Sequence, residues 1–187
     1  SLPIRPGDWR DLMAEIPLRN YEFHLSFLDV VGLAGFPFEA LFGVSANNPK
    51  FSVHAPDYLD AYRLLDPFSE DRETRQKSLG LLESVGDFAL ELAQRQGSAV
   101  TVVSSLSQFS GSRDNFFGRV AELFTEINKP GVRFSLQWLP PYAWYFGGSF
   151  PLNLVNSGAD LEPIKQEEIP ITLDTSHLLM GVHAGRY

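Results

Sequence analysis

Residues 100–138 read VTVVSSLSQFSGSRDNFFGRVAELFTEINKPGVRFSLQW, and their pattern decides the fold. Val100-Thr101-Val102-Val103 is a short, mostly β-branched run of the kind that forms a buried strand. From Asn115 to Asn128 the period changes, and Phe116, Val120, Leu123, Phe124 and Ile127 recur on one helical face. Pro130-Gly131 breaks that helix, and Val132–Trp138 returns to an apolar strand. Two strands separated by a helix predict a parallel pair joined by a right-handed crossover.

The same alternation extends in both directions. Toward the N-terminus, Asp8 or Asp11 opens a short helix through about Ile16, and Pro17 closes it. Tyr21-Glu22-Phe23-His24-Leu25-Ser26-Phe27 alternates as a strand does, and Phe51-Ser52-Val53-His54-Ala55 is a second short strand stopped by Pro56. Val30–Asn48, rich in Gly and Phe, reads as a loop with buried aromatics. The longest helix runs from about Glu70 to Gln96, with Leu81, Leu82, Val85, Phe88, Ala89 and Leu92 on one face and Gly97 as its stop. Toward the C-terminus, a turn-rich insertion from Pro140 to about Pro170 precedes an Ile171–Leu173 strand. The fold class is α/β with a parallel sheet.

Composition bounds the function. With 187 residues, 44% of them hydrophobic and 13% aromatic, the chain can bury a substantial core in one domain. A formal charge of −8 with no dense Lys/Arg cluster argues against nucleic acid as a partner. The absence of cysteine excludes disulfides and thiolate metal sites. No apolar run is long enough to span a bilayer and no signal-like N-terminus is present, so a cytoplasmic protein with no membrane partner is expected.

In parallel β/α folds, function collects where strands end. The polar residues at those ends are Glu22 and His24, His54 with Asp57, Ser104 and Ser105, Gln137, and Asp174 with His177. Ile171-Thr172-Leu173-Asp174-Thr175-Ser176-His177 is the most pointed of these elements. A carboxylate and an imidazole three residues apart can converge on a cation at about 2 Å. The competing reading makes Asp174 a helix N-cap, with Thr175 and Ser176 as rivals, and His177 an ordinary loop histidine. Likewise Glu22 or His24 can face solvent, His54 can be a buried histidine bonded to backbone, and Gln137 can satisfy a neighbouring carbonyl.

Glu22-Phe23-His24-Leu25-Ser26, Val53-His54-Ala55-Pro56, Leu139-Pro140-Pro141-Tyr142-Ala143-Trp144-Tyr145-Phe146-Gly147-Gly148 and Leu173-Asp174-Thr175-Ser176-His177 together carry a resemblance. The chain resembles the xylose-isomerase-like TIM-barrel superfamily, which includes sugar-phosphate isomerases/epimerases and endonuclease IV. Within it, the chain looks closest to barrel domains joined to sialic-acid-synthase-like enzymes of nonulosonate sugar pathways. The resemblance implies a (β/α)₈ barrel with a divalent metal, Mn, Mg, Co or Zn, at its C-terminal face. Carried over, Asp174, His177 and His54 become metal ligands. Glu22 and His24 become candidates for the base that moves a proton between adjacent carbons of a hydroxy-carbonyl sugar or sugar phosphate. His54, Gln137, Trp138 and Trp144 become substrate contacts, with Tyr142 beside them; the alternative for the aromatics is core or loop packing.

The chain departs from the pattern in three places. Gln137 stands where the family usually places a metal-binding glutamate, and Ser104-Ser105-Leu106 stands where related strands often end in His-Pro-Gly. Five strands are counted, so the barrel is incomplete, with about five to six β/α units present. The last two units, and on this count the first strand, are unaccounted for. The expectation is a single barrel domain over residues 1–187, within a longer chain or covered at its open edges by a partner copy. Two function classes follow: a metal-dependent sugar isomerase/epimerase of carbohydrate metabolism, and a non-catalytic sugar-binding or accessory domain. Phosphodiester cleavage needs a fuller metal cluster and a basic surface, neither of which the sequence offers.

Overall fold

In the computed structural model, residues 1–43 and 48–185 are described. Strands β1 (Leu2–Ile4), β2 (Asn20–His24), β3 (Lys50–His54), β4 (Val100–Ser104), β5 (Val132–Gln137) and β8 (Ile171–Thr172) form one sheet in that order. Every neighbouring pair is parallel. The strands read from the sequence are therefore adjacent as expected. The first strand, unaccounted for in the sequence count, is present as β1.

Helices α1 (Trp9–Glu15), α4 (Arg72–Gln96) and α5 (Arg113–Ile127) supply the long crossovers. Asp71 caps α4 by accepting from Thr74 N at 2.8 Å, and Gly97 ends it in the left-handed conformation at φ 63°. The strand residues that alternate toward the helices are large and apolar. Phe23 meets Phe88 of α4 edge-on at 5.1 Å, and Phe134 lies 5.9 Å from Phe124 of α5. Both strand phenylalanines are fully buried, which stabilises the sheet–helix contact by on the order of 2–3 kcal/mol per ring. Glu22, His24, Ser52, His54, Ser135 and Gln137 occupy the alternate positions and make up the other, polar face of the sheet.

The expected loop at Val30–Asn48 is a correction. Here the chain forms α2 (Phe27–Gly32), a 3₁₀ turn (Leu33–Gly35) and α3 (Phe38–Gly43), while residues 44–47 lie outside the described residues. The cause is a reciprocal cap. Ser26 Oγ accepts from Asp29 N, and the Asp29 carboxylate accepts from Ser26 N at 2.7 Å. Phe36 and Phe38 then pack on Phe88 at 5.2 and 5.3 Å, so the aromatics anticipated in a loop hold short helices against α4.

The insertion between β5 and β8 also has structure. Its strands β6 (Tyr142–Tyr145) and β7 (Gly148–Pro151) form an antiparallel hairpin, followed by α6 (Leu161–Gln166). Phe146 and Gly147 turn the hairpin with positive φ of 51° and 77°, as a two-residue turn between right-twisted strands requires. Asp160, fully buried, accepts from Ser157 N, Asn156 N and Arg113 Nη2, fastening this insertion to the start of α5. After β8 the chain enters α7 (Thr175–His183). Among the described residues no helix is long and apolar enough to cross a membrane.

Candidate functional site

Parallel pairing aligns the C-terminal ends of β2 to β5 and β8, and backbone bonds extend that order one residue further. Leu25 N donates to His54 O, Ala55 N to Val103 O, and Trp138 N to Thr172 O, at 2.8–3.0 Å. The side chains at these ends are therefore fixed by the ladder.

Gln137 is the hub. It is 8% exposed, and its side-chain Oε1 accepts from Ser105 Oγ at 2.5 Å and lies 3.2 Å from His54 Nε2. Its Nε2 reaches Asp174 Oδ2 at 3.5 Å, the outer limit of a hydrogen bond. His54, 5% exposed, turns Nδ1 to the Ala55 carbonyl at 2.8 Å. A carbonyl only accepts, so Nδ1 carries the hydrogen; Nε2 then faces the Gln137 oxygen acceptor to acceptor, a close contact and not a hydrogen bond. Gln137 thus satisfies neighbours, as the sequence allowed, but they are a hydroxyl and, at the distance limit, a carboxylate rather than a backbone carbonyl.

Asp174 is the N-cap of α7. Its Oδ1 accepts from Ser176 N at 2.9 Å and from His177 N at 3.3 Å. His177 lies in the first turn of that helix. Its Nδ1 donates to the Trp138 carbonyl at 2.8 Å, and its Nε2 lies 3.7 Å from Asp174 Oδ2. The His54 ring stacks on His24 with centroids 4.4 Å apart and planes 3° from parallel. One register step earlier, Ser52 Oγ donates to Glu22 Oε2 at 3.4 Å. Glu22 and His24 therefore sit on the same face as the Gln137 hub.

Burial, with His54 close by, holds the His24 imidazole below its ordinary value of 6.5; Asp57 and Glu22 oppose that shift. Burial also pushes the Tyr145 phenol up to about 12, reinforced by Asp57. Tyr145 comes from the hairpin and donates to Ser107 Oγ at 3.2 Å, while Phe146 N donates to Tyr58 Oη at 3.2 Å. Through these bonds the hairpin folds back over the loops that follow β3 and β4.

The two predicted tryptophan contacts part company. Trp138 is 3% exposed and belongs to the hydrophobic core, and its carbonyl meets His177 Nδ1 at the site. Trp144 is 72% exposed and shares one face of the hairpin with Tyr142, opposite Ser149 and Pro151. The whole stretch 134–159 carries no charged residue in a chain of net charge −8. Ser105 stands in the sequence among the polar strand ends and as a departure from the family pattern, and its proximity to Gln137 follows from strand pairing that no local motif encodes.

His54 and His177 each give Nδ1–H to a backbone carbonyl, the orientation that ligating histidines usually have. Convergence is what fails. Among the described residues, no three His, Asp or Glu side chains come together to hold a cation. Asp174 Oδ1 serves α7, and the neutral amide of Gln137 stands between His54 and Asp174. The residues present do not fit the divalent ion that the resemblance implies. A cleft of ≈ 420 Å³ elsewhere, lined by Val30, Leu33, Phe36 and Phe88, faces the helical side. Its acidic members Asp87 and Glu91 pair with Lys129 and Arg95, so it holds none of this chemistry.

No protein-family profile matches the chain, and no curated protein does. Among solved structures, SacUVDE matches with a TM-score of 0.57 at 13% identity, over 94% of this chain and 57% of its own length. The TTHB071 protein from Thermus thermophilus, soaked with ZnCl2, matches with a TM-score of 0.58 at 19% identity, over 95% of this chain and 66% of its own. This chain spans less than two thirds of either protein, and the likeness is one of fold.

Proposed function

We propose that residues 1–187, which carry the xylose-isomerase-like TIM-barrel fold in incomplete form, make up a sugar-binding domain. In this reading it is an accessory relative of the isomerase/epimerase barrels, of the kind that serves nonulosonate biosynthesis. The observation that carries this is the Gln137 hub. An amide, a hydroxyl and imidazoles at strand ends offer paired donors and acceptors suited to sugar hydroxyls. Tyr142 and Trp144 on the uncharged hairpin supply faces against which a pyranose ring can pack.

A second reading is favoured by one observation. His24 is held below its ordinary pKa by burial, so it is an unprotonated base near neutral pH, with Glu22 on the same face. Those two groups could move a proton α to a sugar carbonyl, His24 Nε2 or Nδ1 taking it and Glu22 keeping the imidazolium stable. Sugar binding is common to both readings, and turnover separates them.

Trp9 and Trp138 are buried while Trp144 is exposed, so a bound sugar should alter the emission of Trp144. Titration with hexoses, pentoses and amino sugars is expected to shift the fluorescence, and Trp144→Phe to silence the shift. If no sugar perturbs Trp144 or the Gln137 side-chain amide resonances, the reading fails. Calorimetry with Mn²⁺ and Zn²⁺ is the companion test. The native chain should take up neither tightly, and Gln137→Glu should gain affinity by placing a second carboxylate beside Asp174.

A further inference from the structure

Asp57 follows directly on His54-Ala55-Pro56, three residues past the end of β3. Its backbone is pinned, with its carbonyl accepting from Leu65 N at 2.9 Å. Its side chain is half satisfied at best. Oδ1 is buried from solvent and has no hydrogen-bond partner among the described residues. A desolvated carboxylate oxygen without a donor is costly, and native structures keep such atoms mainly where a ligand, ion or water completes them.

The neighbours of Asp57 say what could complete it. Tyr58, the next residue, packs edge-on against Tyr145 and Phe146 at 5.8 and 5.2 Å, which places Asp57 between the end of β3 and the hairpin, and its charge reaches both His24 and Tyr145. Glu22 acts on the same imidazole, and Asp174 closes the far side of the Gln137 hub. The cation whose charge reaches His24 is Arg5, and its guanidinium lies 3.9 Å from Asp29. A phosphate monoester carries nearly two negative charges and would meet the Asp57 carboxylate directly. A hydroxyl or an ammonium group meets an acceptor with no competing donor.

Resting on the sugar-binding reading above, we propose that Asp57 Oδ1 is the acceptor that selects the ligand, and that the ligand is an unphosphorylated sugar presenting a hydroxyl or ammonium donor to it. Asp57 is then a specificity-determining residue of the C-terminal face. The hydroxyl and ammonium cases share one chemistry, since the carboxylate assists both bonds with its charge, and the ammonium is the stronger because it adds an opposite charge of its own.

The test uses three probes, glucose, glucosamine and glucose 6-phosphate, titrated by protein-observed NMR into the native chain and into Asp57→Asn. Asparagine keeps the shape and can donate, but it loses the charge. The native chain should bind glucosamine tightest and the 6-phosphate weakest. Asp57→Asn should lose about tenfold in glucosamine affinity, and with it the preference over glucose. Thermal unfolding is the second readout. An orphaned carboxylate oxygen predicts a midpoint that is unchanged or raised in Asp57→Asn. A lowered midpoint would mean that Asp57 is a structural residue with a partner, and it overturns the proposal. So does tightest binding of the 6-phosphate, or an unchanged preference for the amine. If the native chain binds none of the three, the sugar-binding reading falls together with this one. Binding of all three that Asp57→Asn leaves untouched removes only the role of Asp57.

Discussion

Replacing Gln137 by alanine should unfasten the strand ends. The side chain is buried, accepts from Ser105 Oγ at 2.5 Å and makes a marginal bond at 3.5 Å to Asp174. The Ser105 bond contributes about 1 kcal/mol, and the second, at the distance limit, close to nothing. Removing the amide also leaves Ser105 Oγ buried without its partner, at a cost of about 1–2 kcal/mol. The expected loss is therefore about 2–3 kcal/mol. Urea denaturation followed by circular dichroism measures it: with a slope of about 2 kcal/mol/M, the midpoint should fall by roughly 1–1.5 M with the slope unchanged. Gln137→Leu fills the same volume without the bonds and should lose most of the same amount. A loss below about 1 kcal/mol in both variants would falsify the view that the amide organises this face.

Asp160 is buried beneath Arg113, Ser157 and Asn156, so Asp160→Ala should cost about 3 kcal/mol and speed proteolysis within residues 152–166. Limited digestion with mass mapping reads this out, and cleavage confined to other segments would count against it. Because the folded-state pKa of His24 lies below its ordinary 6.5, its contribution is fully present above pH 6.5 and declines as pH falls through the lower, folded value. Stability measured against pH should therefore drop in that acidic window, and His24→Phe should flatten the drop. Tyr145 should stay unionised until about pH 12. A spectrophotometric alkaline titration should show a late tyrosinate step that Tyr145→Phe removes, with the stability it reflects lost only above pH 10 as the unfolded phenol ionises first.

The β/α rhythm was legible because strand and helix segments carry different apolar periods, and Val100–Trp138 contains both. What escaped were elements too short to have a period. The strand at Leu2–Ile4 is three residues long, and it exists because the neighbouring strand offers its free edge; the two-residue strand at Ile171–Thr172 was legible in its β-branched residues. The helix at Phe27 was hidden in a Gly- and Phe-rich stretch, although Ser26 and Asp29 stand at capping-box spacing. The hairpin was hidden because its turn uses Phe146-Gly147, not the Asn-Gly pair that usually announces such a turn. At the site, the sequence named the polar strand ends correctly. It could not say how they pair. Whether Gln137 touches Ser105, His54 or Asp174 depends on register between strands more than thirty residues apart.

The cap made by Asp174 bears on how any genetic test of this face should be read. One carboxylate oxygen holds the first turn of α7 while the other looks toward Gln137 and His177. Alanine at this position removes both roles at once, and a dead variant would report a frayed helix as readily as a lost ligand contact. Asparagine and serine are themselves good caps, so the pair Asp174→Asn and Asp174→Ser keeps the helix start while removing the charge. Phenotypes shared by these two and alanine trace to the carboxylate; those peculiar to alanine trace to the helix. An allelic series at one codon thus separates architecture from recognition, because the fold assigned each task to a different atom.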